Sequence, residues 1–257
     1  EIINVIDARQ SHPQTIVRTA LALSGTAAGR AAFDNSHHLA YEVVTLEGQA
    51  MSGRKGITLS IDEVAEEAAR RARAVVQEKN PGLALIDQVA RQVGIGALRF
   101  GMLKSEAKKV IDFRWEQALS LQGDSAPYVQ YAHARACSIL RAAAAEGVDV
   151  KAARAGADFA LLGPLEVRLA RVLRRYPEVV EGAAAALAPH LLAQYALDLA
   201  TAWNSYYNHK DENGKPDTQV MRSGMGLREA RLVLVDRVRT TLVAVLDLLG
   251  IAAPPEM

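Results

Sequence analysis

Four prolines constrain this chain more than any other feature. Pro127, Pro164, Pro177 and Pro189 each stand at the head of an Ala-, Leu- and Val-rich run long enough for a helix. Proline lacks an amide hydrogen and fixes φ, so it suits the first helical position and disrupts helix interiors and central strands. The pattern predicts helices over Pro127–Glu146, Ala153–Gly163, Pro164–Arg175, Pro177–Ala188, Pro189–Asn208 and Leu227–Leu249, with 210–226 a long polar loop. Half of the residues are hydrophobic and only 5% aromatic. That supports sizeable cores made of packed helices rather than a sandwich.

The first fifty residues read differently. Ile2–Ile6 has the character of a short buried strand, and Thr15–Ser24 carries Ile16, Val17, Ala20 and Leu23 at helical spacing. Residues 38–47 alternate as a second strand would. A strand followed at once by a helix is an α/β pattern. Ser60 opens a Ser-Ile-Asp-Glu capping box, in which the hydroxyl accepts an amide hydrogen and Glu63 reaches back. The helix behind it is expected from Asp62 to about Gln77, ended by Asn80-Pro81-Gly82. Leu85, Val89, Val93 and Ile95 outline one more helix, interrupted across Gly94–Gly101. No strand is expected after Leu83, and 112–127 reads as a connector. The chain is thus mainly α: the tail of an α/β domain, a helical region, then an all-helical bundle.

A net charge of +1 excludes a basic surface throughout, so any nucleic-acid site is a local patch. One cysteine, Cys137, makes no internal disulfide and fits a reducing cytoplasm. No apolar run reaches the ~20 residues of a membrane span. The first residues lack signal-peptide character. No Cys/His spacing suggests a metal site, and no Ser-His-Asp arrangement is arguable.

Between the α/β part and the capped helix lies AMSGRKGITLS, residues 50–60. Gly53 and Gly56 permit the φ values that turn backbone amides toward an anion, Arg54 and Lys55 add charge, and Ser52 adds a small donor. This chemistry suits holding a polyphosphate while its charge is redistributed. A solvated Gly-Arg-Lys turn has the same composition.

Tyr128, Tyr131 and Arg135 are offset by three, four and seven residues and share one helix face. Arg141 lies further along, rotated by roughly 120° from that direction. Two rings and a guanidinium are what single-stranded bases need, with stacking worth ~1–3 kcal/mol per base. A tyrosine pair packed in a bundle core beside an ion-paired arginine is the alternative. Cys137 reads as core-facing and inert. Arg168, Arg171 and Arg175 form a basic stripe, and Arg70, Arg71 and Arg73 a cluster, each a solvated face or a contact for nucleic acid.

MSGRKG resembles a degenerate form of the KMSKS signature of class I aminoacyl-tRNA synthetases, as found in arginyl-tRNA synthetases. Met51 and Ser52 match, while Ala50 and Gly53 replace the two lysines. PYVQYAHAR at 127–135 is similar to that family's entry into its anticodon-binding domain. SYYNHK and the final ARLVLVDRVRTTLVAVLDLLGIAAPPEM resemble its last two helices and terminal methionine.

The resemblance implies three regions: 1–56, the end of a Rossmann-type catalytic domain with the KMSKS-like loop; 57–112, a helical linker contacting the tRNA stem; and 113–257, an all-helical anticodon-binding domain. Met51, Ser52, Gly53, Arg54 and Lys55 would then act on ATP. Gln10 would contact arginine or its adenylate, and His38 the adenine. Gln10 equally suits a helix cap, and His38 a structural hydrogen bond. Tyr128, Tyr131, Arg135, Arg141, Tyr207 and Met257 would bind tRNA.

No HIGH-type signature is present: neither SHPQ at 11–14 nor NSHHLA at 35–40 fits. The expectation is therefore the carboxy-terminal half of an arginine–tRNA ligase. Implied partners are tRNA(Arg), L-arginine and ATP with Mg2+, with no protein-bound metal, membrane or DNA. A non-catalytic tRNA-binding module and a helical interaction protein are the alternatives.

Overall fold

A computed structural model describes residues 1–50 and 60–257. Two compact units divide the chain: Glu1–Ile57 with Ser105–Phe113, and Thr58–Lys104 with Arg114–Met257. The packing differs from the three-way division read along the sequence. Residues 58–104 join the helical bundle, and 105–113 return to the first unit.

In the first unit, β1 (Ile2–Asp7) pairs in parallel with β2 (Ser36–Tyr41), in a register that sets Asn4 against His38. Helices α1 (Ser11–Leu23) and α2 (Ala27–Asp34) connect them, making a βαβ-type crossover. The expected single strand at 38–47 is split into β2 and β3 (Val44–Leu46), which belong to different sheets. The second sheet is ordered β4 (Gln49–Ala50), β3, β5 (Ile111–Phe113). Strand β5 corrects the reading that no strand follows Leu83. Three residues carry almost no periodic signal, and β5 exists through its parallel ladder with β3. The apolar run of β1 is less covered than a buried strand would be, with Ile2 54% and Val5 59% exposed.

In the second unit, α3 (Ile61–Lys79) starts with the expected box. Glu63 N–H donates to Ser60 Oγ at 3.2 Å, and Ser60 N–H donates to Glu63 Oε2 at 2.7 Å. The backbone bond from Ser60 also holds the Glu63 carboxyl below its usual range. Helix α4 (Ile86–Leu103) runs unbroken through the glycines expected to interrupt it. Gly94 is there for close approach: a Cβ on it would lie 2.5 Å from the Ala68 carbonyl carbon of α3. Gly96 makes room for Gln130 and Ile251.

After α5 (Trp115–Ala118) comes the bundle proper: α6 (Ala126–Ala145), α7 (Val150–Gly156), α8 (Pro164–Arg174), α9 (Tyr176–Ala185), α10 (Pro189–Tyr207) and α11 (Leu227–Leu248). Prolines occupy the first or second position of α6, α8, α9 and α10, as their chemistry favours. The helix expected over Ala153–Gly163 is instead α7 and a 3-10 turn at Phe159–Leu161. Asp158 separates the two. Its side chain accepts the Ala160 amide, and its own amide donates to Gly226 O at 3.1 Å.

The core is drawn from α6, α10 and α11. Trp203, Leu199, Leu232, Leu242 and Leu246 are fully buried, each side chain contributing about 1.5–3 kcal/mol by leaving water. A buried ion pair joins α8 to α11, with Arg231 Nη2 lying 2.7 Å from Glu166 Oε1. No described helix is long and apolar enough to cross a membrane.

Candidate nucleic-acid interface and family

The site is built where α6 crosses the end of α10. Ser125 caps α6 by accepting the Tyr128 amide at 3.2 Å, and its hydroxyl donates to Ser120 O. Gly123, at φ 80°, supplies the turn before it. This start sets the rotation of α6, and with it the face that carries Tyr128, Tyr131 and Arg135.

All three are half-buried. The Arg135 guanidinium carbon sits 4.5 Å from the Tyr131 ring centroid and 4.8 Å from that of Tyr207. It is held between two rings, and its Nη1 donates to Asn204 Oδ1 at 3.1 Å. The Tyr207 ring lies 5.9 Å from that of Trp203, itself fully buried, and remains 40% exposed. Cation–π contacts at such partly desolvated sites are worth ~0.5–2 kcal/mol. Tyr128 is tied separately, its OH donating to Thr201 Oγ1 at 3.3 Å. The tyrosine pair is thus not sealed in the core, and among the described residues Arg135 is held by rings and an amide rather than by a carboxylate.

Arg141 is placed differently. Its Nη1 donates to Pro255 O at 3.0 Å and Nη2 lies 3.4 Å from Glu256 Oε1. Together with Gln130 and His133 it lays the final segment along α6: Gln130 Nε2 donates to Ala252 O at 2.8 Å, and His133 Nδ1 lies 3.0 Å from Pro254 O. Met257 ends this segment buried rather than frayed, at 7% exposure.

The His133 contact to a carbonyl requires the proton on Nδ1, which leaves Nε2 to accept the Cys137 thiol at 3.4 Å. Burial lowers the His133 pKa and raises that of Cys137, which keeps the thiol protonated.

In the first unit, Gln10 is exposed and stands at the N-cap of α1 without a capping side-chain bond. His38 Nε2 lies 3.0 Å from Ile6 O across the parallel pair. Asp7 closes on Arg9, with Oδ2 accepting from Nη2 at 2.7 Å, and these bonds pull its pKa down to about 2. The Met51–Lys55 loop lies outside the described residues. Among the described residues no group of three or more His, Cys, Asp or Glu is placed to hold a metal ion.

Of the basic groups read from sequence, Arg70 and Arg71 pair with Glu67, Arg73 with Asp87, and Arg175 with Asp198 at 3.5 Å. Arg168 and Arg171 are exposed. Sequence reasoning missed Asn204, the residue that fixes Arg135. Its signal was its spacing, three residues before Tyr207 on the same helix.

The DALR anticodon binding domain family matches residues 129–257, and the class I (R) tRNA synthetase catalytic domain family matches 1–115. A parallel α/β unit matched by the one family and a helical bundle matched by the other place this chain among class I tRNA synthetases that carry a DALR domain. An arginine–tRNA ligase of Thermus thermophilus is 54% identical over 257 residues, all of this chain and 41% of that protein. That of Deinococcus radiodurans is 50% identical over 260 residues, again all of this chain and 42% of the relative. The solved Thermus thermophilus arginyl-tRNA synthetase superposes with a TM-score of 0.87 at 52% identity, covering 100% of this chain and 41% of that one. The Plasmodium falciparum arginyl-tRNA synthetase shares the fold at 20% identity, with a TM-score of 0.77 over 99% of this chain and 41% of its own. The chain belongs to the arginyl-tRNA synthetase family, and it spans about two fifths of the length of these relatives.

Proposed function

We propose that this chain is part of an arginine–tRNA ligase, which joins L-arginine to ATP as an adenylate and passes the arginyl group to the 3′ end of tRNA(Arg) in the cytoplasm. The single observation that carries the reading is the Arg135 guanidinium between the rings of Tyr131 and Tyr207, tethered by Asn204. The rings offer stacking faces to an unpaired base. The unspent guanidinium hydrogens are available for its edge or a phosphate, and Asn204 prevents the arginine from reorienting. Tyr128, Arg141 and Met257 are assigned to tRNA as well, with Arg141 acting through the terminal segment that it holds.

Met51, Ser52, Gly53, Arg54 and Lys55 are assigned to the triphosphate of ATP with its Mg2+. Cationic and amide donors there offset the charge that develops on pyrophosphate as the adenylate forms. Gln10, exposed beside the carboxyl end of β1, is assigned to arginine or adenylate. Ligands of open α/β sheets sit at that end of the strands. His38 is assigned to the wall of the adenine pocket. Residues 57–112 are assigned to the tRNA stem.

The test is binding of an arginine tRNA transcript and of the same transcript with a scrambled anticodon loop. The expected result is preference for the native loop and its loss in Arg135→Ala, with the melting curve preserved. Equal binding of both transcripts by the unmodified chain would overturn the reading.

A further inference from the structure

Helices α8 and α11 leave an apolar groove of about 370 Å3 between them, bordered by Phe159 and Leu162 of the stretch that precedes α8. We propose that this groove docks an amphipathic helix of a partner protein, which lays its apolar face inward and carries acidic side chains at its edges. None of the lining residues belongs to the aromatic–arginine face on α6 and α10, so the proposal stands apart from the tRNA reading.

The apolar lining is the first argument. Phe159, Leu162, Ala170 and Val233 line the groove and lie outside the hydrophobic core. That core is filled by their neighbours: Leu169 of α8 and Leu232 and Val235 of α11 are fully buried. Phe159 is 52% exposed, and Ala170 is exposed as well. An apolar recess that faces water after the core is complete marks an interaction site.

Shape is the second argument. Val233, Arg237 and Thr241 follow one another at four-residue intervals on α11, and so do Ala170 and Arg174 on α8. The α11 row is about 12 Å long, two turns of helix. A recess between two helices accepts a third by the same ridge-and-groove packing, through anchors at i, i+3 or i+4, and i+7.

Charge names the partner. Arg174 and Arg237 are exposed at the groove, and neither pairs with a carboxylate among the described residues. Arg171, one turn before Arg174, is exposed and unpaired in the same way. Among the described residues no acidic group lines the groove, and nearby Asp158 is occupied in capping the Ala160 amide. Such a rim attracts carboxylates and repels a basic helix. An RNA strand would meet the cations too, but beside the arginines only Thr241 is polar and only Phe159 offers a ring. Base edges and stacking faces find few partners there, whereas an apolar helix face finds many.

The experiment pans the whole chain against a displayed library of helical peptides in which apolar, acidic and basic positions vary, then measures the affinity of the enriched peptides. Sequences with apolar residues at i, i+3 or i+4 and i+7, flanked by Asp or Glu, are the expected winners. Ala170 is exposed, so Ala170→Glu enters the groove without entering the core. It should weaken these peptides about tenfold, because it sets an unpaired carboxylate against an apolar face, with the melting curve preserved. Arg174→Glu with Arg237→Glu should reverse the preference, favouring the same peptide with Lys at its flanks.

Enrichment without this pattern, or binding that Ala170→Glu leaves unchanged, overturns the proposal. If no peptide is enriched while the double reversal weakens binding of a tRNA transcript, the groove is an RNA contact and the proposal is likewise overturned.

Discussion

Asn204 on α10 holds Arg135 on α6, its Oδ1 accepting from Nη1 at 3.1 Å while the residue itself is only 9% exposed. A buried amide is rigid in a way that an exposed one is not, so the guanidinium meets its two rings at a set angle. Asn204→Ala keeps both rings and the charge but frees the arginine to rotate. A three- to tenfold loss of affinity for an arginine tRNA transcript is expected, about 0.6–1.4 kcal/mol, the scale of one hydrogen bond. Asn204→Asp should melt higher yet bind more weakly, because a carboxylate pairs with Arg135 and repels phosphate. Binding by Asn204→Ala equal to that of the unmodified chain would remove the positioning role.

The Gly94–Ala68 crossing makes a second prediction about stability alone. A methyl at Gly94 would press on α3 backbone, which cannot move aside as a flexible side chain can. Gly94→Ala is therefore expected to cost about 1–3 kcal/mol, the usual range for overpacking, although alanine is the better helix former. Gly82, with open space around it, is the control, where alanine should be neutral or slightly stabilising. Denaturant unfolding of the two variants decides it, and a Gly94→Ala chain as stable as the parent would contradict the close approach.

His133 makes stability depend on pH. Burial lowers its pKa in the folded chain, the bond to Pro254 O opposes this, and the Arg239 charge adds to it. The unfolded chain then binds more protons below its own value of about 6.5. Stability is complete above that value and declines as pH falls through it, levelling off below the folded pKa. His133→Gln can still donate to Pro254 O but does not titrate. Its melting temperature should fall less between about pH 7.5 and about pH 5. Identical slopes for the two proteins would show that the imidazole is not the titrating group.

Glu166 and Arg231 are 3% and 13% exposed at their side chains, which makes their pairing conditional. Removing one charge leaves the other buried, at a cost of about 3–5 kcal/mol, whereas replacing both with apolar groups is often neutral. Glu166→Ala should unfold at markedly lower denaturant, and Glu166→Met with Arg231→Met should regain most of the loss. A double variant as unstable as the single would mean that the loop bonds of Arg231, rather than the charge pair, carry the stability.

Local chemistry was legible without coordinates. The Ser60–Glu63 box, the proline-headed helices and the shared face of Tyr128, Tyr131 and Arg135 all depend on residues within seven positions of one another, and each is present in the fold. The family was legible for a related reason: 127–135 is a contiguous word. Gly94 and Gly96 were misread because an isolated glycine signals a break, and only a second backbone arriving from α3 reveals a close approach. Strand β5 was invisible because its hydrogen bonds run to Val44–Leu46, more than sixty residues away.

The amino-acid sequence by itself determined most of the helical segments, where the proline-headed and Ser60-capped ones start, and that one of them presents two rings and a guanidinium together. Tertiary structure alone decided what those groups do. It brought Tyr207 and Asn204 of α10 onto Arg135 and turned Arg141 to the terminal segment. Local propensity acts over a few residues through backbone sterics and hydrogen bonds. Partners 69 to 114 residues apart meet only because burying the faces of α6, α10 and α11 offsets the entropy of closing the chain between them.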